Sequence, residues 1–243
     1  MESVVRLLSQ EQPLSVASTC GIAQVLSHLG SGAEIALQFF EAALSGGAAV
    51  DPSTFPPIWD AWNAKNPAQQ AADCLPADNA YISRLEKLSD AELAAITLDF
   101  FGMKLDAAGL VRVRLGEHAV HTWDVAVAID PAAVVAPDAV ALLHGFLPWI
   151  AQRVGKPAGE TFRARLAGHF PDVDFLLEVA DAVTLAPWPE DGAGEPLAGK
   201  LRLPTEALLR LVYGRLDPAH TPPAEVSGDG ALLDRARAAF PGL

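Results

Sequence analysis

The chain has 243 residues, 51% of them hydrophobic and 19% charged, more than one small core needs, so one large domain or two unequal ones are expected. Thirty acidic residues against 17 basic ones leave a formal charge of −13, which argues against nucleic acid and anionic membrane surfaces as partners. No apolar run approaches the roughly 20 residues of a membrane helix, and a soluble protein is expected.

The N-terminal MESVVRLLSQEQPLS has an acid at position 2 and too short an apolar run for a secretory signal, so the cytoplasm is the expected location. Cys20 and Cys74 are the only cysteines and form no CxxC pair, which fits a reducing compartment. From Ser18, Ile22, Val25, Leu26, Leu29, Ala33, Leu37, Phe40 and Leu44 recur at helical spacing and predict one long helix ending near Leu44. The breaker clusters SGG at 45–47 and DPSTFPP at 51–57 follow, and up to Pro76 only short, ill-defined helices are expected. YISRLEKL reads as helix, and Ser89 with Glu92 forms a capping box ahead of the apolar ITLDFFGM.

A second long helix is expected from Asp106 to Ile129, closed by Asp130-Pro131, and another from Pro137 to Val154. Beyond Gly155, DVDFLLEVADAVTLAPW and GKLRLP alternate like strands, TEALLRLVYGR reads as an amphipathic helix and SGDGALLDRARAAF as a terminal one. The expected organisation is therefore α+β: a helical domain over 1–155 and a smaller α/β domain over 156–243, joined near KPAG.

The sharpest chemical constellation is GEHAVHTWD. Glu117, His121 and Asp124 stand four and three residues apart, so their side chains share one helix face. Gathering a Glu, a His and an Asp without a cation is costly, whereas a divalent metal turns that cost into binding. His28, beside the apolar stripe of the first helix, is the candidate third ligand, pointing inward to the bundle axis. The bland readings stay open: a solvated Glu–His pair, a satisfied core His28, and an Asp124 paired with an arginine. His118 faces away and reads as structural, Trp123 as packing, and Arg112 and Arg114 receive no role. Cys20, eight residues before His28, is a conceivable thiolate ligand, though a buried free cysteine is ordinary. His144, His169 and His220 lack partners at ligand spacing.

Together, SHLGSGAEIAL around His28 and RVRLGEHAVHTWDVAVA around Glu117 and His121 resemble the DinB-like metalloenzyme superfamily, and within it the mycothiol-dependent maleylpyruvate isomerase group of actinobacteria. The resemblance covers most of the chain. It implies an N-terminal four-helix bundle carrying a zinc site on His28, Glu117 and His121, with Asp124 three positions on, and a smaller C-terminal α/β domain. It also maps a functional arginine onto Arg215, in the Gly-Arg pair that ends GKLRLPTEALLRLVYGR. Two features depart from the group: the first bundle helix, MESVVRLLSQ, is short and lacks a Pro-Gly-Trp-Thr segment, and residues 51–88 are hard to match.

Zinc with three protein ligands keeps an open position and favours thiolate over thiol. The implied chemistry is that of a small thiol, mycothiol, attacking a small electrophile, as a transferase or an isomerase, with Arg215 clamping a carboxylate through its planar fork. Read from the residues alone, Arg215 is an exposed helix-end cation. Asp124 would accept a hydrogen bond from a ligand or contact a metal-bound water. Two rivals remain: a thiol-independent metalloenzyme of the same fold, and a non-catalytic small-molecule-binding protein.

Overall fold

The computed structural model describes residues 21–46, 50–100, 103–157, 159–194 and 196–242. The short first helix expected in MESVVRLLSQ and the Cys20 thiolate both lie outside them. The fold is α+β, a helical N-terminal unit ending at Ile129 and a strand-rich unit starting at Asp130.

In the first unit, helix α1 spans Ile22–Leu44. Its apolar stripe does what the spacing predicts: Ile22, Val25, Leu26 and Leu29 are buried with Trp62, Ala71, Cys74 and Val125 in one cluster. A 3-10 turn, Pro52–Thr54, leads into α2, Phe55–Asn63. Helix α3, Pro67–Leu85, starts at an Asn66 capping box and packs along α1. It corrects the expectation of short helices ending at Pro76: Pro76 lies inside a continuous 19-residue helix. Its ring is exposed, while Cys74, Asp78 and Tyr81 on the opposite side are buried. Tertiary burial of that face therefore outweighs the cost of an interior proline, about 3 kcal/mol in an isolated helix.

After α4, Asp90–Ala95, capped by the expected Ser89–Glu92 box, the apolar ITLDFFGM segment contributes to an antiparallel hairpin, β1 Thr97–Phe100 and β2 Met103–Asp106. Asp106 then caps α5, Ala107–Val127, by accepting from the Gly109 amide at 2.6 Å. Helix α5 packs against α1.

In the second unit the expected helix over 137–154 is two helices, α6 Pro137–Leu143 and α7 Leu147–Val154, joined by a 3-10 turn at His144–Phe146. Gly145 and Pro148 supply the break. Helix α7 packs on the sheet strand Val183–Pro187. Five strands follow: β3 Phe162–His169, β4 Val173–Val179, β5 Val183–Pro187, β6 Gly199–Pro204 and β7 Glu225–Gly228, in the order β5-β4-β3-β6-β7. All neighbours are antiparallel except β3 and β6. Strands β3 and β7 were not expected from sequence; β7 is exposed along its length and carries no apolar alternation.

Phe162, Ala164, Leu166, Leu177, Leu201 and Leu203 are buried on the sheet, and helices α8, Thr205–Val212, and α9, Leu232–Ala239, pack on its strands. Helix α8 ends in a Schellman motif. The Arg215 amide donates to the Arg210 carbonyl at 2.7 Å and the Gly214 amide to that of Leu211 at 2.9 Å, with Gly214 left-handed at φ +71. A Cβ at Gly214 would stand 2.3 Å from Gly242 backbone atoms, so the Gly of the Gly-Arg pair is demanded twice.

Candidate metal centre

The candidate donors come from two helices. Gly30 lets the Trp62 indole lie against α1, where a Cβ would stand 2.1 Å from a ring carbon. The indole N–H then donates to Glu34 at 2.9 Å. Ser31 donates back to the His28 carbonyl at 3.1 Å. His28 projects from this turn with its side chain 53% exposed, so it sits at a surface and not among the buried apolar stripe.

From α5 come Glu117 and His121, one turn apart. His28 Nε2 lies 2.8 Å and His121 Nε2 3.6 Å from the same Glu117 oxygen, Oε2. The two imidazoles meet edge to face with centroids 4.8 Å apart. One donor atom from each residue falls within 4.8 Å of the others. Glu117 is half-buried and His121 more so. Burial pushes the Glu117 carboxyl up, but hydrogen bonds from His121 and His28 outweigh it and hold the group well below the usual carboxylate range. It is a carboxylate at neutral pH.

Asp124 completes the α5 face. Its Oδ2 lies 2.9 Å from His121 Nδ1. A carboxylate there keeps a proton on Nδ1, so the proton given up to free a lone pair is the one on Nε2, which faces Glu117. Two imidazole nitrogens and a carboxylate oxygen, with an acceptor behind one imidazole, are a donor set of the catalytic zinc kind, with bonds of about 2.0–2.2 Å to nitrogen and oxygen. Donors on one such ion stand roughly 3–3.6 Å apart, so the observed spacing needs only small side-chain rotations to fit.

The other expected residues sort as follows. His118, next to Glu117, turns away to Asp78 Oδ1 at 3.0 Å, and Trp123 is buried; both match their structural readings. Arg112 is exposed. Arg114, assigned no role from sequence, is buried at 6% exposure and bonds Asp78 and the Leu29 carbonyl. A charged residue three positions before Glu117 was its only sequence signal. Arg215 belongs to the strand-rich unit, where its Nη1 donates to the Tyr213 carbonyl at 2.6 Å. Nearby Arg210 is buried and forked onto Glu206, at 2.8 and 2.9 Å, with a further bond to the His220 carbonyl. His144, His169 and His220 are in the same unit, His220 against Asp217.

Comparison with known proteins adds an independent view. The family model described as the mycothiol maleylpyruvate isomerase N-terminal domain matches residues 4–126, about half of the chain. Among solved structures, the crystal structure of the mycothiol-dependent maleylpyruvate isomerase and that of a histidine-to-alanine mutant of it each align at 15% identity and TM-score 0.60. In both cases the alignment covers 88% of this chain and 84% of the other. No curated protein matches the chain. Among the described residues no helix is long and apolar enough to cross a membrane.

Proposed function

Because the chain belongs to the mycothiol maleylpyruvate isomerase N-terminal domain family, we propose that it is a metal-dependent enzyme using a low-molecular-weight thiol, mycothiol, on a small electrophilic substrate. The reaction is a thiol S-transfer or a maleylpyruvate-type isomerisation. The observation that carries this reading is the convergence of His28, Glu117 and His121 from two helices to within 4.8 Å.

In this reading those three residues hold a divalent ion of the zinc type. When bound, the ion supplies an open position and the Lewis acidity that favours a thiolate over a thiol near neutral pH. The residues of the chain do the rest. Glu117, ionised throughout the working range, brings negative charge to the ion, and Asp124 holds His121 in the tautomer that presents Nε2. The carboxylate-binding role is carried onto Arg215, one residue past the helix-ending Gly214, by the family resemblance. The thiolate sulfur forms a bond to one carbon of a conjugated C=C as the π pair moves onto the conjugated carbonyl oxygen; rotation about the resulting single bond and return of that pair with expulsion of the thiolate gives isomerisation, whereas protonation of the neighbouring carbon keeps the sulfur on the substrate and gives transfer. A bound cation would also make a local cationic spot able to take an anionic small molecule despite the overall charge of −13.

Metal analysis of protein prepared without a polyhistidine tag tests the reading, with His121→Ala beside it. About one equivalent of zinc-type metal in the parent and loss in the variant is the expected result; a metal-free parent rules the reading out. Turnover of maleylpyruvate or a related electrophile is then expected only with the thiol added. Metal-dependent turnover that ignores the thiol would move the chain to the water-activating alternative, and a ligand retained through purification with no turnover to a binding protein.

A further inference from the structure

Arg114 is a charged residue buried in the helical unit, 6% exposed, and its partner Asp78 on α3 is 2% exposed. Arg114 Nη2 donates to Asp78 Oδ1 at 2.8 Å and to the Leu29 carbonyl of α1 at 3.1 Å. His118 Nε2 lies 3.0 Å from both Nη2 and Asp78 Oδ1. One guanidinium therefore ties α1, α3 and α5 together. The pairing is not the strong two-pronged kind: Asp78 Oδ2 and Arg114 Nε, both buried, have no partner among the described residues. A buried pair of this geometry is a poor source of stability compared with apolar side chains of the same size. Its directional bonds serve register better than they serve stability.

The placement of those bonds is specific. The carbonyl taken on α1 belongs to the residue after His28, and on α5 Arg114 precedes Glu117 by three residues, about 4.5 Å along the axis. Gly32 makes room for the guanidinium, since a Cβ there would stand 2.7 Å from Nη1. We infer that Arg114, neutralised by Asp78, is a positioning residue that sets the axial register of α1 against α5 and so the separation of His28 from Glu117 and His121. The inference rests on the metal reading above. Apolar packing tolerates small axial slips, whereas metal bonds tolerate only about 0.2 Å. A slip of one residue, about 1.5 Å along the axis, would carry the His28 donor away from the pair on α5.

The test measures metal affinity by competition with a chromophoric chelator and the visible absorption of the cobalt(II)-loaded protein, whose intensity follows coordination number. A urea midpoint reports stability separately. In the double variant Asp78→Leu/Arg114→Met both charges go at similar volume, so the fold is kept while the bond to Leu29 is lost. Affinity is expected to fall about tenfold or more, with a changed cobalt spectrum. Gly32→Ala removes no charge and crowds Nη1 alone; it is expected to weaken metal binding with helix content unchanged, and it decides the matter if the double variant does not fold. Parent-like affinity and spectrum in either folded variant overturn the inference and leave the metal site standing. A parent that binds no metal overturns the site itself, and the inference with it.

Discussion

At the scale of single residues, Asp124 backs the candidate donors without being one of them. Its contact with His121 Nδ1 at 2.9 Å orders a ring that would otherwise choose between two tautomers. Asp124→Asn is expected to weaken metal binding roughly 10- to 100-fold while leaving the urea midpoint of the metal-free protein unchanged; chelator competition measures the first and denaturation the second. Glu117 sets a pH dependence of defined sign. Its folded-state pKa lies below its ordinary 4.5, so its contribution to stability is present above that value and is lost as pH falls through the folded one. In metal-free protein the urea midpoint should drop more steeply below about pH 4.5 for the parent than for Glu117→Gln; parallel profiles would contradict the assignment. Cys74 is the opposite case. Fully buried, its thiol is pushed up to about 12 by burial first and by Asp78 second. In a Cys20→Ser chain no thiol should react with a disulfide reagent at pH 8 until the protein is unfolded.

At the scale of elements, the periodic helices were legible and the punctuated ones were not. α1 and α5 declare themselves because their buried residues recur every three to four positions, and the site's α5 donors follow from that same period. The α3 helix was hidden by Pro76, whose local cost reads as a stop although Cys74, Asp78 and Tyr81 on the other face hold the helix through it. Strand β3 was hidden by its arginines: Arg163 pairs with Glu178 and Arg165 with Asp174 on the face away from the buried positions, a cross-strand arrangement that one strand's sequence does not display. Pro76→Ala is expected to raise stability by about 1 kcal/mol, less than the isolated-helix value because proline also restricts the unfolded chain. Its urea midpoint checks this. Gly30→Ala should act in the other direction. Its methyl would enter the Trp62 indole, and overpacking of this kind costs about 1–3 kcal/mol.

For the molecule as a whole, the α+β architecture was readable from the change of texture along the chain, and the position of the division was not. The chain divides between Ile129 and Asp130, whereas the expected linker was KPAG near residue 155. The 137–154 segment reads as bundle helix by its period, yet α7 packs on strand β5; an amphipathic helix states that it has an apolar face, not which partner covers it. The donors His28, Glu117 and His121 all fall in the first unit, so a metal ion should stabilise that unit directly. At free zinc a hundredfold above the dissociation constant, the expected gain is about 2.7 kcal/mol. It would be seen as a rise in melting temperature that chelation reverses and His121→Ala abolishes. The unequal exposure of the donors, 53% for His28 against 29% for Glu117 and 15% for His121, also orders events in time. The covered pair on α5 would meet an arriving ion as a half-formed cradle, and His28 would close over it last and swing away first. Exchange would then run at the pace of one imidazole turning in water, far ahead of any parting of the helices.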